Sequence, residues 1–442
     1  MGRSFLPQDK ANKRQASPVP WLVGLAGLVG LVLGIGGFLY LRGVFRAEAD
    51  YAIANVPAFD EPGFDLTLVG LTSSIATSGH MIGFWREVDA VYAARQAAID
   101  GAERLIQYET YFMTPGRRAD DFAEALARRA QVGVRVQLLL DHHGTEAMPD
   151  DYWQRLRDLG IELQFFRKPN WRRPLEYNSR SHRKLLIIDG KQALIGGAGT
   201  SDYWDGTEFD HDTAPWLEFE VAYEGEVVNL LQGKFLQNWA YSGGQLNLSD
   251  EIRLVQSDAP VDLYITDDTS SLNESSIRLL MQLSMLTAQE RLWIGSPYFV
   301  PDANTTRALL TAHGNGVDVR VLTMSAATDK RMVHRASREL YGDLLEAGIA
   351  ICEYQPSMMH AKLVLVDDAW VSTGSANFDP RSYFHNDELN ISGSYPELAQ
   401  EIEQFFTDAL ADSNCLTYED WQNRPWLETV KGRAALLFKN LL

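Results

Sequence analysis

Hydrophobic and polar positions along this chain fall into distinct regimes. From Trp21 to Leu41 no residue is charged, and about 21 residues of helix span about 30 Å, the hydrocarbon core of a bilayer. That stretch predicts a membrane-spanning helix. Residues 1–20 before it are polar and mixed in charge, a tail, and 42–80 read as a linker into the rest. Beyond that, short apolar, β-branched-rich runs alternate with amphipathic ones. RLIQYETYF (104–112), GVRVQLLLD (133–141) and LGIELQFF (159–166) read as strands. Each is answered later in the chain, by RLWIGSPYF (291–299), GVDVRVLTM (316–324) and AGIAICEY (347–354). Between strands, Asp120-Asp121 is placed to cap a helix turning Phe122, Leu126 and Ala130 inward. Leu340, Leu344 and Leu345 mark its counterpart before Gly348.

Strands alternating with helices predict an α/β fold, with mixed, largely parallel sheets flanked by helices. The answering segments predict a duplication. A first lobe over 81–250 and a second over 251–442 would meet across a pseudo-twofold axis, with a cleft on that axis.

The duplication carries chemistry. His182, Lys184 and Asp189 in SHRKLLIIDG recur as His360, Lys362 and Asp367 in MHAKLVLVDD, and Gly196 and Ala198 recur as Gly374 and Ala376. In extended backbone, side chains two apart share a face, so each histidine points with its lysine. A phosphodiester is anionic and repels nucleophiles; two lysines would neutralise its non-bridging oxygens as charge builds. One imidazole would attack phosphorus while the other protonates the departing alkoxide. These roles need one neutral and one cationic ring, so the two pKa values should be pushed apart. The lysines supply the positive charge, so the chemistry calls for no metal and no other cofactor.

Composition sharpens the picture. Forty basic against fifty-nine acidic residues give a net charge of −19, which disfavours nucleic acid, since that binding depends on basic surface. Arg3, Lys10, Lys13 and Arg14 precede the apolar segment, and only Arg42 and Arg46 closely follow it. The positive-inside rule then puts the N-terminus in the cytoplasm and the body outside a cell membrane crossed once. A cleaved signal peptide ending at Ala47-Glu48-Ala49 is the alternative, but the apolar run exceeds the usual length of such a region. Gly30 and Gly34 have the GxxxG spacing of close helix contacts, read here as coincidence in a glycine-rich segment. Cys352, in the apolar IAICEY, reads as a buried thiol rather than a disulfide partner, and Cys352 and Cys415 leave the compartment open.

His142-His143 and Asp210-His211-Asp212 lack zinc-ligand spacing and read as solvated loops. Between 165 and 184, Arg167, Lys168, Arg172, Arg173, Arg180, Arg183 and Lys184 interleave with Phe165, Phe166, Trp171 and Tyr177. That mixture suits an anionic headgroup at the bilayer boundary, or a solvated loop. Arg331, Arg335 and Arg338 could meet a second headgroup or face water. RAALLFKNLL (433–442) could lie on lipid or pack against the body.

The paired motifs resemble the phospholipase D superfamily. The likeness to its cardiolipin synthase branch is closer and covers roughly 60–440, through SHRKLLIIDGKQALIGG, HAKLVLVDDAWVSTGSANFDPRSYFHNDELN, SPYFVPD (296–302) and GKFLQNW (233–239). The resemblance implies a phosphohistidine intermediate, with His182 attacking and His360 acting as acid and then base. It implies phospholipid substrates: two phosphatidylglycerols, with phosphatidylethanolamine as another possible donor. Lys184, Lys362 and Asn377 would hold phosphate. Asn377 stands where the family carries an amide, whereas its first-copy equivalent is Gly199. Glu218 and Glu388 stand where the family pairs an acid with a catalytic imidazole. Asp189 and Asp367 close their strands and read equally as catalytic or as turn residues. Hydrolysis to phosphatidic acid by the same residues is the alternative activity; a lipid-binding scaffold and a nuclease rank below it.

Overall fold

The computed structural model describes residues 2, 19–41, 51–172, 178–208, 211–212, 214–252, 260–268 and 275–441. Two units are distinguished, Met1–Arg46 and Ala47–Leu442. In the first, α1 (Val19–Leu41) is a continuous 23-residue helix without a charged residue. Among the described residues no helix is long and apolar enough to cross a membrane; within α1 the side chains described are those of 23–25 and 27–38. The flanking cations and Ala47-Glu48-Ala49 lie outside the described residues.

In the second unit, a lead-in helix α2 (Pro62–Thr72) precedes β1 (Ile75–Trp85) and α3 (Val88–Gly101). The chain continues through β2 (Leu105–Thr110), α4 (Arg117–Gln131), β3 (Arg135–Asp141), α5 (Asp150–Asp158), β4 (Glu162–Phe166) and β5 (Arg180–Ser181). Then come β6 (Leu185–Ile188), β7 (Gln192–Gly196), the small hairpin β8 (Thr207–Glu208) and β9 (His211–Asp212), β10 (Glu220–Glu224), α6 (Glu226–Tyr241) and α7 (Leu248–Glu251). The second half opens with β11 (Val261–Asp268), α8 (Ser276–Leu286), β12 (Arg291–Gly295), α9 (Ala303–Gly314) and β13 (Asp318–Met324). It goes on through α10 (Arg331–Glu339), α11 (Gly342–Ala347), β14 (Ala350–Tyr354), β15 (Leu363–Val366), β16 (Trp370–Gly374), α12 (Pro380–Phe384) and β17 (Asn386–Ser394). It closes with α13 (Pro396–Ala411), β18 (Ser413–Leu416), α14 (Tyr418–Gln422) and α15 (Trp426–Leu436).

The main strands form one sheet in the order β18-β14-β13-β12-β15-β16-β17-β11-β1-β10-β7-β6-β2-β3-β4. Apart from β18 the order is a palindrome: β14 answers β4, β13 answers β3, and so inward to β11 and β1. Those two pair antiparallel, with Ile75 opposite Ile265, so the pseudo-twofold passes between them. The two halves therefore share a single sheet. The largely parallel pairing expected from the sequence is also corrected. Parallel pairs join β2-β3-β4 and β12-β13-β14, and β5 with β17; the other pairs are antiparallel. A crossover helix is what permits parallel neighbours, and only α4, α5, α9 and the α10–α11 pair supply one within the sheet's triplets. Tight turns return the chain antiparallel from β6 to β7 and from β15 to β16, and the remaining antiparallel pairs of the sheet join strands distant in the chain or linked by longer segments.

Phe235 and Trp239 of α6 and Phe405 and Phe406 of α13 cover one face, in a core shared with Val221, Ile265 and Leu365 from both halves. The other face holds a separate cluster for each half. Leu126, Val136 and Trp153 belong to the first; Leu309, Val321 and Tyr341 belong to the second. Phe64 and Leu68 of α2 join the second-half cluster. The helix expected to start at Asp120-Asp121 starts earlier, at Arg117. Its first amides are capped from a distance: Asp202 accepts from Arg117 N and Arg118 N at 2.9 and 2.8 Å, satisfying donors a helix end leaves free.

Cys352 is not a free thiol: it is bonded to Cys415. β18 runs antiparallel to β14 and sets the two residues directly opposite, a register nothing in the local sequence announces. The bond closes a loop of 63 residues, so Cys352→Ser with Cys415→Ser should lower unfolding stability by about 2–4 kcal/mol. Denaturant titration of the oxidised, reduced and double-variant protein checks this: equal midpoints would mean the link contributes nothing.

Candidate active site

Each histidine enters the site through a backbone contact with the opposite half. His182 N donates to Asp387 O at 2.9 Å, extending the β5–β17 pairing. His360 N donates to Leu217 O at 2.8 Å, beside the isolated bridge between Leu217 and Met359. These two contacts are equivalent under the pseudo-twofold. Since Glu388 follows Asp387 and Glu218 follows Leu217, each acid arrives at the imidazole of the other half. His182 Nδ1 lies 3.1 Å from Glu388 Oε2 and 3.1 Å from Ser375 O. His360 Nδ1 lies 2.6 Å from Glu218 Oε2. All of these neighbours are acceptors when the acids are ionised, so both Nδ1 atoms carry the proton. That leaves the Nε2 lone pair on each ring, with the Lys362 ammonium 3.1 Å from that of His360.

The lysines complete the constellation. Lys184 Nζ donates to His182 O at 2.6 Å, and Lys362 Nζ lies 3.1 Å from both ring nitrogens of His360. Lys184 and Lys362 are each 2 % exposed, and Glu218 and Glu388 are fully buried. Burial, and then the Lys362 charge, bring Lys184 down to about 7. Burial likewise brings Lys362 down to about 8, against the pull of Glu218 and Glu388. Burial raises Glu218, but His360 and Lys362 outweigh it and bring that carboxyl to about 2. His360 is pushed down to about 3 by burial and Lys362, with Glu218 opposing. Burial also lowers His182, against Glu388. The sequence calls for the two rings to be driven apart; this environment lowers both.

Several partners escaped sequence reasoning. Tyr111 packs edge-on against His182 at 5.3 Å, with Lys184 over its ring at 5.6 Å. Trp204 and Trp216 wall His360 at 5.4 and 5.5 Å, and Trp204 Nε1 donates to Glu218 Oε2 at 3.2 Å. Glu388 is shared more widely, accepting from Ser375 Oγ, Ser382 Oγ and Asn386 Nδ2 at 2.5, 2.9 and 3.2 Å. Gly199 was the one visible clue to this asymmetry. A Cβ there would lie 2.5 Å from Phe112 O and 3.0 Å from the Trp204 ring, so Trp204 fills the space an amide side chain would need. Asn377 is 2 % exposed, and its Oδ1 has no hydrogen-bond partner among the described residues. At the rim, Tyr298 OH donates to Asp329 Oδ1 at 2.8 Å, and Lys362 is within electrostatic reach of that carboxylate.

Asp189 and Asp367 are not brought to the imidazoles; each stands at the far end of the strand that its histidine and lysine precede. Asp189 accepts from Glu103 N, Arg104 N and Leu105 N at 2.9, 2.8 and 2.8 Å. Asp367 does the same for Gln289 N, Glu290 N and Arg291 N at 3.2, 2.8 and 3.0 Å. Their φ values, 56° and 51°, lie in the left-handed region that a short polar side chain tolerates. Each carboxylate thus fixes the start of the neighbouring strand, a structural role. Arg180 and Arg183 are buried too; Arg183 Nη2 bonds Asp267 at 3.2 Å, so neither is exposed at the surface. Trp171 is exposed, with Arg172 stacked on it at 5.3 Å, while Arg173, Tyr177 and Asp210 lie outside the described residues. Among the described residues no group of three or more His, Cys, Asp or Glu side chains could hold a metal ion; His143 Nδ1 instead sits 3.2 Å from Glu146.

Two outcomes follow from this geometry. Asp189→Ala and Asp367→Ala should each lower unfolding stability by about 1–3 kcal/mol, because three backbone amides at a strand start lose their acceptor. Thermal denaturation beside turnover measurement checks it; large loss of turnover at unchanged stability would return these residues to the chemistry. Second, an anion placed between the lysines raises their pKa values from about 7 and 8. Binding of glycerophosphate near pH 8 should then take up on the order of one proton. Calorimetry in buffers of different ionisation enthalpy reads this directly. The sign for the folded chain alone is opposite: unfolded lysines bind protons up to higher pH, so this pair's contribution to stability rises between about pH 7 and 10.

The chain is similar to known proteins. The family described as "Cardiolipin synthase, PLD-like domain" matches residues 96–217 and 283–410, more than half of the chain. A cardiolipin synthase of Geobacillus sp. (strain WCH70) is 33% identical over 412 residues, 90% of this chain and 80% of that protein. Cardiolipin synthase A of Pseudomonas putida (strain GB-1) is 31% identical over 358 residues, 80% of this chain and 73% of that protein. Among solved structures, phosphatidylserine synthase of Haemophilus influenzae Rd KW20 superposes with a TM-score of 0.64 at 14% identity, covering 86% of this chain and 99% of that one; that likeness is one of fold. With its paired histidines, lysines and exchanged acids in place, the chain belongs to the cardiolipin synthase branch of the phospholipase D-like family.

Proposed function

We propose that this protein is a membrane-anchored phosphatidyltransferase that condenses two phosphatidylglycerol molecules into cardiolipin and glycerol. The observation that carries this reading is the exchange of acids between halves, which fixes the Nδ1 proton of each imidazole and leaves Nε2 for chemistry, with two buried lysines in the same charge cluster. With substrate phosphate offsetting the lysine charge, His360 takes up a proton on Nε2; His182 Nε2 then attacks phosphorus, the bond to the glycerol oxygen breaks, and that oxygen takes the proton from His360 Nε2. The headgroup hydroxyl of the second lipid then loses its proton to His360 and attacks phosphorus, breaking the phosphorus–nitrogen bond. Lys184, Lys362 and the Asn377 amide hold the non-bridging oxygens. His182 is assigned the attack because Glu388 divides its charge among several donors. Glu218 bonds His360 at 2.6 Å and so better supports the imidazolium that forms there. Phosphate charge beside the lysines offsets the push that lowers His360.

The anchor in this reading is α1, uncharged along its length, which restricts the enzyme to the layer where both lipids are concentrated. A catalytic body outside the cytoplasm fits the positive residues preceding α1. It also fits the Cys352–Cys415 disulfide, a bond that persists in oxidising compartments. The net charge of −19 argues against nucleic acid as substrate.

Incubating the purified full chain with phosphatidylglycerol vesicles should yield cardiolipin and free glycerol; phosphatidic acid as the only lipid product would defeat transfer in favour of hydrolysis. His182→Ala and His360→Ala should each reduce turnover by on the order of 10³-fold or more, as loss of a member of a concerted unit does. A phosphatidyl adduct should be trapped on His182 in the His360→Ala protein.

A further inference from the structure

We propose that α10 and α15 together form a docking platform that lays the rim of the catalytic cleft onto an anionic bilayer surface. α15 presents Trp426, Leu427 and Val430, 71, 51 and 54 % exposed, and Leu437, 71 % exposed, follows its last residue with Phe438 next to it in the chain. On α10, which packs against α15, Met332 is half exposed. Lys330, Arg331, Arg335, Lys431 and Arg433 are exposed on the same two helices or at their ends, against the exposed acids Asp329 and Glu428, and Arg433 lies 3.8 Å from Glu339. In a chain of net charge −19, this local basic excess around tryptophan and aliphatic groups has the composition of an interfacial helix on anionic lipid.

The two helices are built as one body. Gly432 admits close approach: a Cβ there would sit 2.9 Å from Arg335 O and 2.6 Å from Glu339 Oε1. Arg424 Nη1 donates to Arg338 O at 3.0 Å and pairs with Glu339 at 3.3 Å. The inner face of α10 reaches the chemistry. Val333 packs in the same cluster as Trp204 and Trp216, the two rings that wall His360. The segment entering α10 carries Asp329, bonded to Tyr298 at the rim. A bilayer under the outer face would therefore bring headgroups beside the cleft mouth, and lipid would reach it by sliding rather than by leaving the membrane. The inference rests on the phospholipid reading only for this last step; the surface chemistry stands without it.

The test uses the full chain reconstituted in phosphatidylglycerol-containing nanodiscs, with an environment-sensitive fluorophore on Val430→Cys and, as control, on Glu124→Cys of α4. The Val430→Cys label should shift to the blue and be quenched several-fold more than the control by nitroxide-bearing lipid. Arg331→Glu with Lys431→Glu should abolish the difference. A label as water-exposed as the control overturns the proposal. So does protection that appears equally in detergent and grows with protein concentration, which would assign the stripe to a second copy of the chain. Trp426→Ser with Leu437→Ser should slow turnover of bilayer phosphatidylglycerol while sparing short-chain phosphatidylglycerol dispersed in detergent; equal losses on both would mark a structural effect and overturn it. Quenching without any cardiolipin would leave docking standing and sink the catalytic reading instead, whereas cardiolipin formed beside an unquenched label sinks docking alone.

Discussion

Two ammonium groups, two carboxylates and two imidazoles are removed from water in one cleft, and this charge cluster is the constraint on which the rest of the structure depends. Isolated buried charges are costly, and they persist only when paired and hydrogen-bonded. Here the pairing is exchanged: the acid beside each imidazole comes from the other half of the chain. Neither half can satisfy its own histidine. Folding of the two halves and assembly of the site are therefore one event, and the antiparallel pairing of β1 with β11 is what holds them in register.

Symmetry brings the groups together, and departures from it divide their work. Glu388 is shared among several donors, while Glu218 meets His360 over a short bond with Trp204 as an added donor. Trp204 occupies the room that an amide at position 199 would need, so of the two equivalent positions only 377 carries an amide. A duplicated fold thus yields two inequivalent imidazoles without altering the motif that carries them.

The periphery serves the cluster in a different way. Asp189 and Asp367 each gather three backbone amides at the far end of a motif strand, fixing the strand whose other end carries histidine and lysine. The same α10 that shields the His360 wall on its inner face carries exposed cations and Met332 on its outer one. Burial and surface chemistry meet on that one helix, within reach of the cleft.

The duplicated His and Lys positions, the answering strand segments, the acids at 218 and 388 and the gap at Gly199 could all be read along the chain, because spacing and residue type survive in one dimension. Sequence determined which groups would meet and that two halves would present them. It did not determine the single continuous sheet, its mostly antiparallel pairing, the Cys352–Cys415 bond or the turn role of the motif aspartates. Nor did it reveal that burial would lower both imidazoles together. Each of these depends on which strand lies beside which, and on how much water is left around a side chain. Such quantities are set by contacts between residues far apart in the chain, and only the folded packing decides them.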